Sequence, residues 1–230
     1  MLGLGVETDN DYGKYFIVDG KHVGDYEGMY RDCPDPWRIE ELGFRLDMRA
    51  ALLLVELLPP GPLRVLDAGA GAGLLSLELL RLLARTRQGS SLALSDISGT
   101  ALELARGRLR GDMGSIGGGV TFTEYDLRKV GTDDCPWPDG SFDLIFLAQV
   151  LWGLVENVGG LFPGLRAKLK EGGRLIMSQH FPGPGRQGYA PFLDPPMVSR
   201  LAEGAGFRLL HTLETDRMEN HHWAALWSCD

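Results

Sequence analysis

The stretch that decides the fold is Val65-Leu66-Asp67-Ala68-Gly69-Ala70-Gly71-Ala72-Gly73. Residues 63–66 are a short apolar run that reads as a strand, and residues 74–85 read as a helix apolar on most faces, hence a buried one. Between them stand an acid and three glycines at alternate positions. Each glycine removes a Cβ where the backbone must turn sharply and approach a ligand. The helix starts at once, so its unpaired N–H groups face the same crevice. In open α/β sheets, ligands bind in that crevice, at the carboxyl ends of the strands.

Glycine-rich turns of this kind also hold dinucleotides, and a bare G-x-G-x-x-G does not discriminate. Here Asp67 precedes Gly69, Gly71 and Gly73. Its carboxylate would repel a pyrophosphate and attract an ammonium group. Further along, residues 91–95 form a second strand that ends at Asp96, 23 residues after Gly73. An acid there can accept hydrogen bonds from both ribose hydroxyls, with Ile97 beside it; the plainer role is to cap the next helix. Residues 120–125 alternate as a third strand that ends at Asp126. By position Asp126 can accept from an adenine amino group while the Leu127 N–H reaches a ring nitrogen; otherwise it is a surface turn acid.

The rest of the chain repeats the alternation. Helices are expected over residues 38–58, 97–110, within 158–170 and over 197–204. A fourth strand at 142–147 is nearly all apolar, as burial on both faces requires. A fifth is expected at 174–178. The last two, at 207–213 and 223–228, are joined by a loop too short for a parallel crossover, so they should pair antiparallel. Strands alternating with helices imply a mostly parallel sheet with helices on both faces. Residues 1–37 read as a lead or cap segment with a small hairpin around Asp19-Gly20, and residues 38–230 as one catalytic domain.

Composition narrows the function classes. The 230 residues carry 31 acidic and 23 basic side chains, a net charge of −8. Such a chain has no general attraction for phosphate backbones or anionic membranes, which counts against nucleic acid as substrate. Its three cysteines, Cys33, Cys135 and Cys229, form no CxxC pair, so neither a disulfide framework nor a metal site is expected. The longest apolar run is too short to cross a bilayer. A cytoplasmic monomer or homodimer is the expectation.

Taken together, these motifs resemble the class I S-adenosylmethionine-dependent methyltransferases from about Leu63 onward. Residues 65–73 resemble the glycine motif of that family. Asp96 corresponds to its ribose-binding acid, and Asp126-Leu127 to its adenine-contact pair. Pro138-Asp139-Gly140-Ser141-Phe142-Asp143-Leu144-Ile145 resembles its fourth-strand motif, and Ala148-Gln149-Val150-Leu151 the segment that lines the methyl-donor site. Leu169-Lys170-Glu171-Gly172-Gly173-Arg174-Leu175 resembles its lead into strand five. The resemblance implies a Rossmann-like, seven-stranded sheet in order 3-2-1-4-5-7-6 with strand 7 antiparallel, and S-adenosyl-L-methionine as methyl donor. Tyr30-Arg31-Asp32-Cys33-Pro34-Asp35-Pro36-Trp37 resembles an element of the NodS-like small-molecule N-methyltransferases. That implies that Trp37 and Arg49 approach the donor, Arg49 pairing with its carboxylate, and that Tyr30 covers the site. The first 20 or so residues match no element of that family.

Methyl transfer is an in-line displacement from an already activated sulfonium, so the protein mainly positions an acceptor. Where the acceptor carries a proton, a base can remove it. His180, after strand five, is the first candidate; a lone histidine at a strand end is otherwise structural. Gln149 and Trp152 are candidates for the acceptor pocket. His221 and His222 are expected on the far edge. The proline-rich loop 181–196, with Arg186 and Tyr189, is expected to wall the acceptor. The acceptor expected is a small metabolite or glycan, methylated at O or N. Two alternatives stand beside this reading: a dinucleotide-dependent oxidoreductase and a non-catalytic donor-binding subunit.

Overall fold

The computed structural model describes residues 13–18, 21–182, 193–217 and 220–229. A short helix α1 (Gly13–Phe16) precedes two strands, β1 (Ile17–Val18) and β2 (Lys21–His22), paired antiparallel. This is the small hairpin expected around Asp19-Gly20; those two residues lie outside the described ones. Three helices follow: α2 (Tyr26–Asp32), α3 (Ile39–Leu42) and α4 (Leu46–Glu56).

The body then alternates as β3 (Arg64–Ala68), α5 (Leu74–Thr86), β4 (Ser90–Asp96), α6 (Gly99–Leu109), β5 (Gly117–Glu124), β6 (Phe142–Ala148), α7 (Val158–Lys168) and β7 (Leu169–Pro182). It closes with α8 (Pro195–Gly204), β8 (Arg208–Arg217) and β9 (Asn220–Ser228). The sheet order is β5-β4-β3-β6-β7-β9-β8. Strands β3 to β7 pair in parallel, and β9 runs antiparallel to both β7 and β8. The seven-stranded Rossmann-like sheet and its closing hairpin are therefore as expected.

The alternation of side chains along β6 shows how two cores form. Leu144 and Phe146 face the layer of α4, α5 and α6, while Ile145 and Leu147 face that of α7 and α8. Burial on both faces is why this strand is almost wholly apolar. Asp143, at its start, is held by Lys170 and by the Arg64 N–H at 2.7 Å. Those partners bring its carboxyl below the usual range although burial pushes it up.

Three expectations need correction. The helix over 38–58 is in fact two. Gly43, at φ +75°, closes α3, and Arg45 is extended before α4 begins. Glycine adopts that left-handed turn at no steric cost, so the chain changes direction there. The break delivers Arg45 and Asp47 to the carboxyl end of the sheet. Strand β7 is also far longer than 174–178, because β9 pairs with it residue by residue as far as Pro182. His222 consequently lies opposite His180 and is buried, rather than sitting on a far edge.

Candidate active site

One cavity opens at the carboxyl ends of β3, β4, β5, β6 and β7. Of the residues expected to meet the donor or acceptor, Tyr30, Trp37, Asp67, Gly69, Gly71, Asp96, Ile97, Asp126, Leu127, Ala148 and His180 line it. Gln149 and Trp152 line it as well. Arg186 and Tyr189 lie outside the described residues.

The glycine turn is built from three different constraints. Gly69, Gly71 and Gly73 all have positive φ, at 78°, 55° and 76°. A Cβ on Gly69 would lie 2.4 Å from Val150, and one on Gly71 would lie 2.5 Å from the Tyr30 hydroxyl. Both therefore keep the cavity floor open. Gly73 does something else. It is not among the cavity residues, and a Cβ there would meet Ala105 at 2.7 Å, on α6. It allows two helices to pack closely rather than admitting a ligand.

Asp67 and Asp96 sit side by side beneath this turn. Asp67 is 3% exposed and accepts from the Ser76 hydroxyl at 2.6 Å. Burial pushes its carboxyl up to about 7, with the charge of Asp96 adding to the rise and Ser76 opposing it. Asp96 accepts from the Gly71 N–H at 2.8 Å and the Ser98 N–H at 3.0 Å. Burial raises it too, against those backbone hydrogen bonds. Asp96 thus anchors the glycine turn and the start of α6, in addition to facing the cavity. Asp126 accepts from the Arg128 N–H at 3.0 Å and pairs with the Arg128 guanidinium at 2.7 Å. Burial acts to raise it, but Arg128 holds it below the ordinary carboxylate range.

The lead segment folds over this floor. Met29, Tyr30, Ala72 and Ala101 form a small apolar cluster joining α2 to the body. Glu27 accepts from the Ser98 hydroxyl at 2.7 Å and the Thr100 N–H at 3.1 Å, tying α2 to the turn after Asp96. Hydrogen bonds from Ser98 and Thr100 hold its carboxyl below the ordinary value. The Asp35-Pro36-Trp37 turn is fixed by Asp35, which accepts from the Ile39 and Glu40 N–H groups at 3.0 and 2.8 Å. Trp37 donates from its indole nitrogen to the Tyr30 hydroxyl at 3.3 Å.

Arg49 points elsewhere. It is exposed and is not among the cavity residues, whereas Arg45, four positions earlier, is. Arg45 stands at the N-cap of α4, just after the Gly43 turn. Met48 also reaches the cavity. Neither residue carried a motif signal.

At the opposite end of the cavity, His180 packs edge-on to Trp152 with ring centroids 6.2 Å apart. Its Nδ1 lies 2.7 Å from Gln149 Oε1. Burial, reinforced by the nearby Arg45 and His222, brings the imidazole down to about 3, so it is neutral at physiological pH. Gln149 itself is one of two described non-glycine residues with positive φ, at 61°. Among the described residues, no group of His, Cys, Asp and Glu is arranged to hold a metal ion. No described helix is long and apolar enough to cross a membrane.

Comparison with known proteins agrees with this geometry. A family described as "Methyltransferase domain" matches residues 66–177. No curated protein sequence matches the chain. Among solved structures, the N-methyltransferase NodS from Bradyrhizobium japonicum WM9, in complex with S-adenosyl-L-homocysteine, superposes with a TM-score of 0.66 at 16% identity. That alignment covers 88% of this chain and 97% of NodS. A SAM-dependent methyltransferase from Aquifex aeolicus gives a TM-score of 0.65 at 19% identity, over 89% of this chain and 98% of that one. The [4+2]-cyclase SpnF gives 0.63 at 16% identity, over 79% of this chain and 80% of that one. Over residues 66–177 the chain is similar to a methyltransferase domain, and its fold is the one these solved structures share.

Proposed function

We propose that the cavity binds S-adenosyl-L-methionine and transfers its methyl group to an oxygen or nitrogen of a small-molecule acceptor. The observation that carries this is the pairing of Asp67 and Asp96 beneath an open Gly69–Gly71 turn. Two buried acids suit a cationic ligand and oppose a pyrophosphate, and of the two arginines among the described lining residues Arg128 is paired with Asp126. In this reading Asp96 takes the ribose hydroxyls, and Asp126 and Leu127 take the adenine beside Ile97. Asp67, Gly69 and Gly71 face the amino-acid end, and Ala148 lies along the donor. Arg45, rather than Arg49, meets the donor carboxylate, because it lines the cavity. Tyr30 and Trp37 close the site from above. His180, Gln149 and Trp152 face the acceptor. The reaction is a displacement at carbon in which the protein holds donor and acceptor at about 3–3.5 Å and in line.

Two tests apply. Calorimetric titration with both ligands should show S-adenosyl-L-methionine binding and no NAD binding; the reverse result sinks the proposal. Asp96→Ala should weaken donor binding by at least about tenfold, since hydrogen bonds to a charged group are worth roughly 1.5–3 kcal/mol each. An unchanged dissociation constant removes Asp96 from the donor site. Release of S-adenosyl-L-homocysteine across a metabolite and glycan panel then identifies the acceptor. The likeness to SpnF favours keeping one second reading, a donor-binding fold used for chemistry other than methylation. Donor binding without product release across the panel would support it.

A further inference from the structure

Four polar side chains from four separate segments meet at the acceptor end of the cavity. Asp47, in the first turn of α4, is buried and receives the side-chain amide of Gln149 on Oδ2. Its Oδ1 lies 2.6 Å from His222 Nδ1, and the Arg45 guanidinium is 3.9 Å away. Gln149 Oε1 in turn lies 2.7 Å from His180 Nδ1. The His180 and Gln179 nitrogens, backbone and side chain respectively, approach the same oxygen at 3.4 Å each.

The orientation of the Gln149 amide is fixed from both ends. A carboxylate only accepts, so the nitrogen of the amide must face Asp47. The His180 backbone N–H and the Gln179 amide only donate at their nitrogens, so the oxygen must face them. An oxygen at that place cannot donate to the imidazole. His180 Nδ1 must therefore carry the proton, and Nε2 must carry the lone pair. Among the described residues, Nε2 has no hydrogen-bond partner, and the ring lines the cavity.

The backbone supports the same conclusion. Gln149 holds a left-handed conformation, at φ 61°, that glycine or asparagine would adopt with less strain. Its N–H is anchored to the Ser178 carbonyl at 2.8 Å. A long side chain held in that conformation is held by what its amide reaches.

We propose that Asp47 and Gln149 are positioning residues that lock His180 as its Nδ1–H tautomer, so that Nε2 receives the proton of a methyl acceptor that arrives as a neutral hydroxyl or N–H group. This inference rests on the methyl-transfer reading for the identity of the proton donor, and on the hydrogen-bond geometry and burial of the ring for the tautomer. In the step, the acceptor heteroatom bonds to the methyl carbon as the carbon–sulfur bond breaks, its electron pair staying on sulfur. The proton of the heteroatom passes to Nε2, giving an imidazolium whose Nδ1–H still donates to Gln149. Release of that proton to solvent restores the site. The neutral ring suits an acceptor that donates a hydrogen bond on arrival.

The test is long-range nitrogen–proton NMR on protein labelled at the histidine ring nitrogens, with His180 assigned by its loss in His180→Asn. The expected result for the unliganded wild-type protein at neutral pH is a protonated Nδ1 and an unprotonated Nε2. A protonated Nε2 overturns the proposal, whatever the activity. Gln149→Met removes the accepting oxygen at similar size. It should shift His180 toward the Nε2–H form and lower kcat by about 10–100-fold, as loss of an orienting partner typically does, with the donor dissociation constant unchanged. Asp47→Asn should give a milder shift in the same direction. A fall in kcat with the wild-type tautomer retained would show a merely structural role and refute the positioning. If no acceptor is ever methylated while the Nδ1–H form is observed, the methyl-transfer reading fails and the tautomer lock stands.

Discussion

Asp67 is held far from the chemistry of a free carboxyl. Its folded pKa, raised to about 7 by burial, lies above the ordinary unfolded value of about 3.9. The folded protein therefore binds this proton more tightly than the unfolded chain does. Its stabilising effect is complete below about pH 4 and is lost as pH rises toward 7. A cationic donor has the opposite preference, because it favours the ionised acid. Donor binding at pH 6–7 should thus release protons and tighten as pH rises, with Asp96, also raised by burial, adding to the effect. Calorimetry in buffers of different ionisation enthalpy measures that release. Asp67→Asn should reduce it and flatten the pH dependence of the melting temperature of the unliganded protein. Proton uptake on binding would contradict the assignment. The place of Asp67 before the glycines was visible in the sequence. Its burial and its neighbour Asp96 were not, because they are separated by 29 positions and joined only through the parallel pairing of β3 with β4.

The βα turn after β3 shows how one motif serves two purposes. Gly69 and Gly71 line the cavity and leave room for Val150 and the Tyr30 hydroxyl, while Gly73 leaves room for α6. The three look alike in sequence, yet substitution should separate them. Gly73→Ala must move the Ala105 backbone and adopt a φ that alanine resists. It should cost about 1–3 kcal/mol, several degrees of melting temperature for a chain of this length, with donor affinity in the folded fraction nearly unchanged. Gly71→Ala should instead displace Tyr30 and lose donor binding. Scanning calorimetry with a donor titration on each variant distinguishes them, and equal effects on binding would refute the division. Helix α4 makes a related point. Its apolar periodicity was legible, but the Gly43 break was hidden inside a pattern that reads as continuous. Arg45, at the N-cap that follows the break, lines the cavity and Arg49 does not.

Across the whole molecule, the closing hairpin inserts β9 between β7 and β8 and buries Trp223 and Trp227 almost completely. The two rings meet edge to face at 5.4 Å and continue through Phe181 to Trp152 beside His180. The last strand is thus both a core element and the support of the His180 end of the cavity. Trp227→Ala should destabilise by about 3–5 kcal/mol, as truncation of a buried tryptophan generally does. Chemical denaturation measures this, and a loss under 1 kcal/mol would show that the core collapses around the gap. The antiparallel close followed from the short final loop, and the sheet order from the family resemblance. The placing of His222 against Asp47 did not, because it depends on β7 running to Pro182, through a segment whose sequence lacks strand periodicity.

By itself the sequence determined the glycine turn after the first core strand, the acids that end the next two strands, the parallel sheet and its antiparallel close. All of these are local: they follow from alternation, glycine freedom and loop length within a few tens of residues. Tertiary structure alone decided the polar cluster around His180 and Asp47. Asp47 meets Gln149 across 102 positions and His222 across 175. No periodicity encodes such meetings. They exist because a glycine turns the chain before α4 and a sheet carries β6, β7 and β9 to the same place, where buried polar groups must find one another once water is excluded.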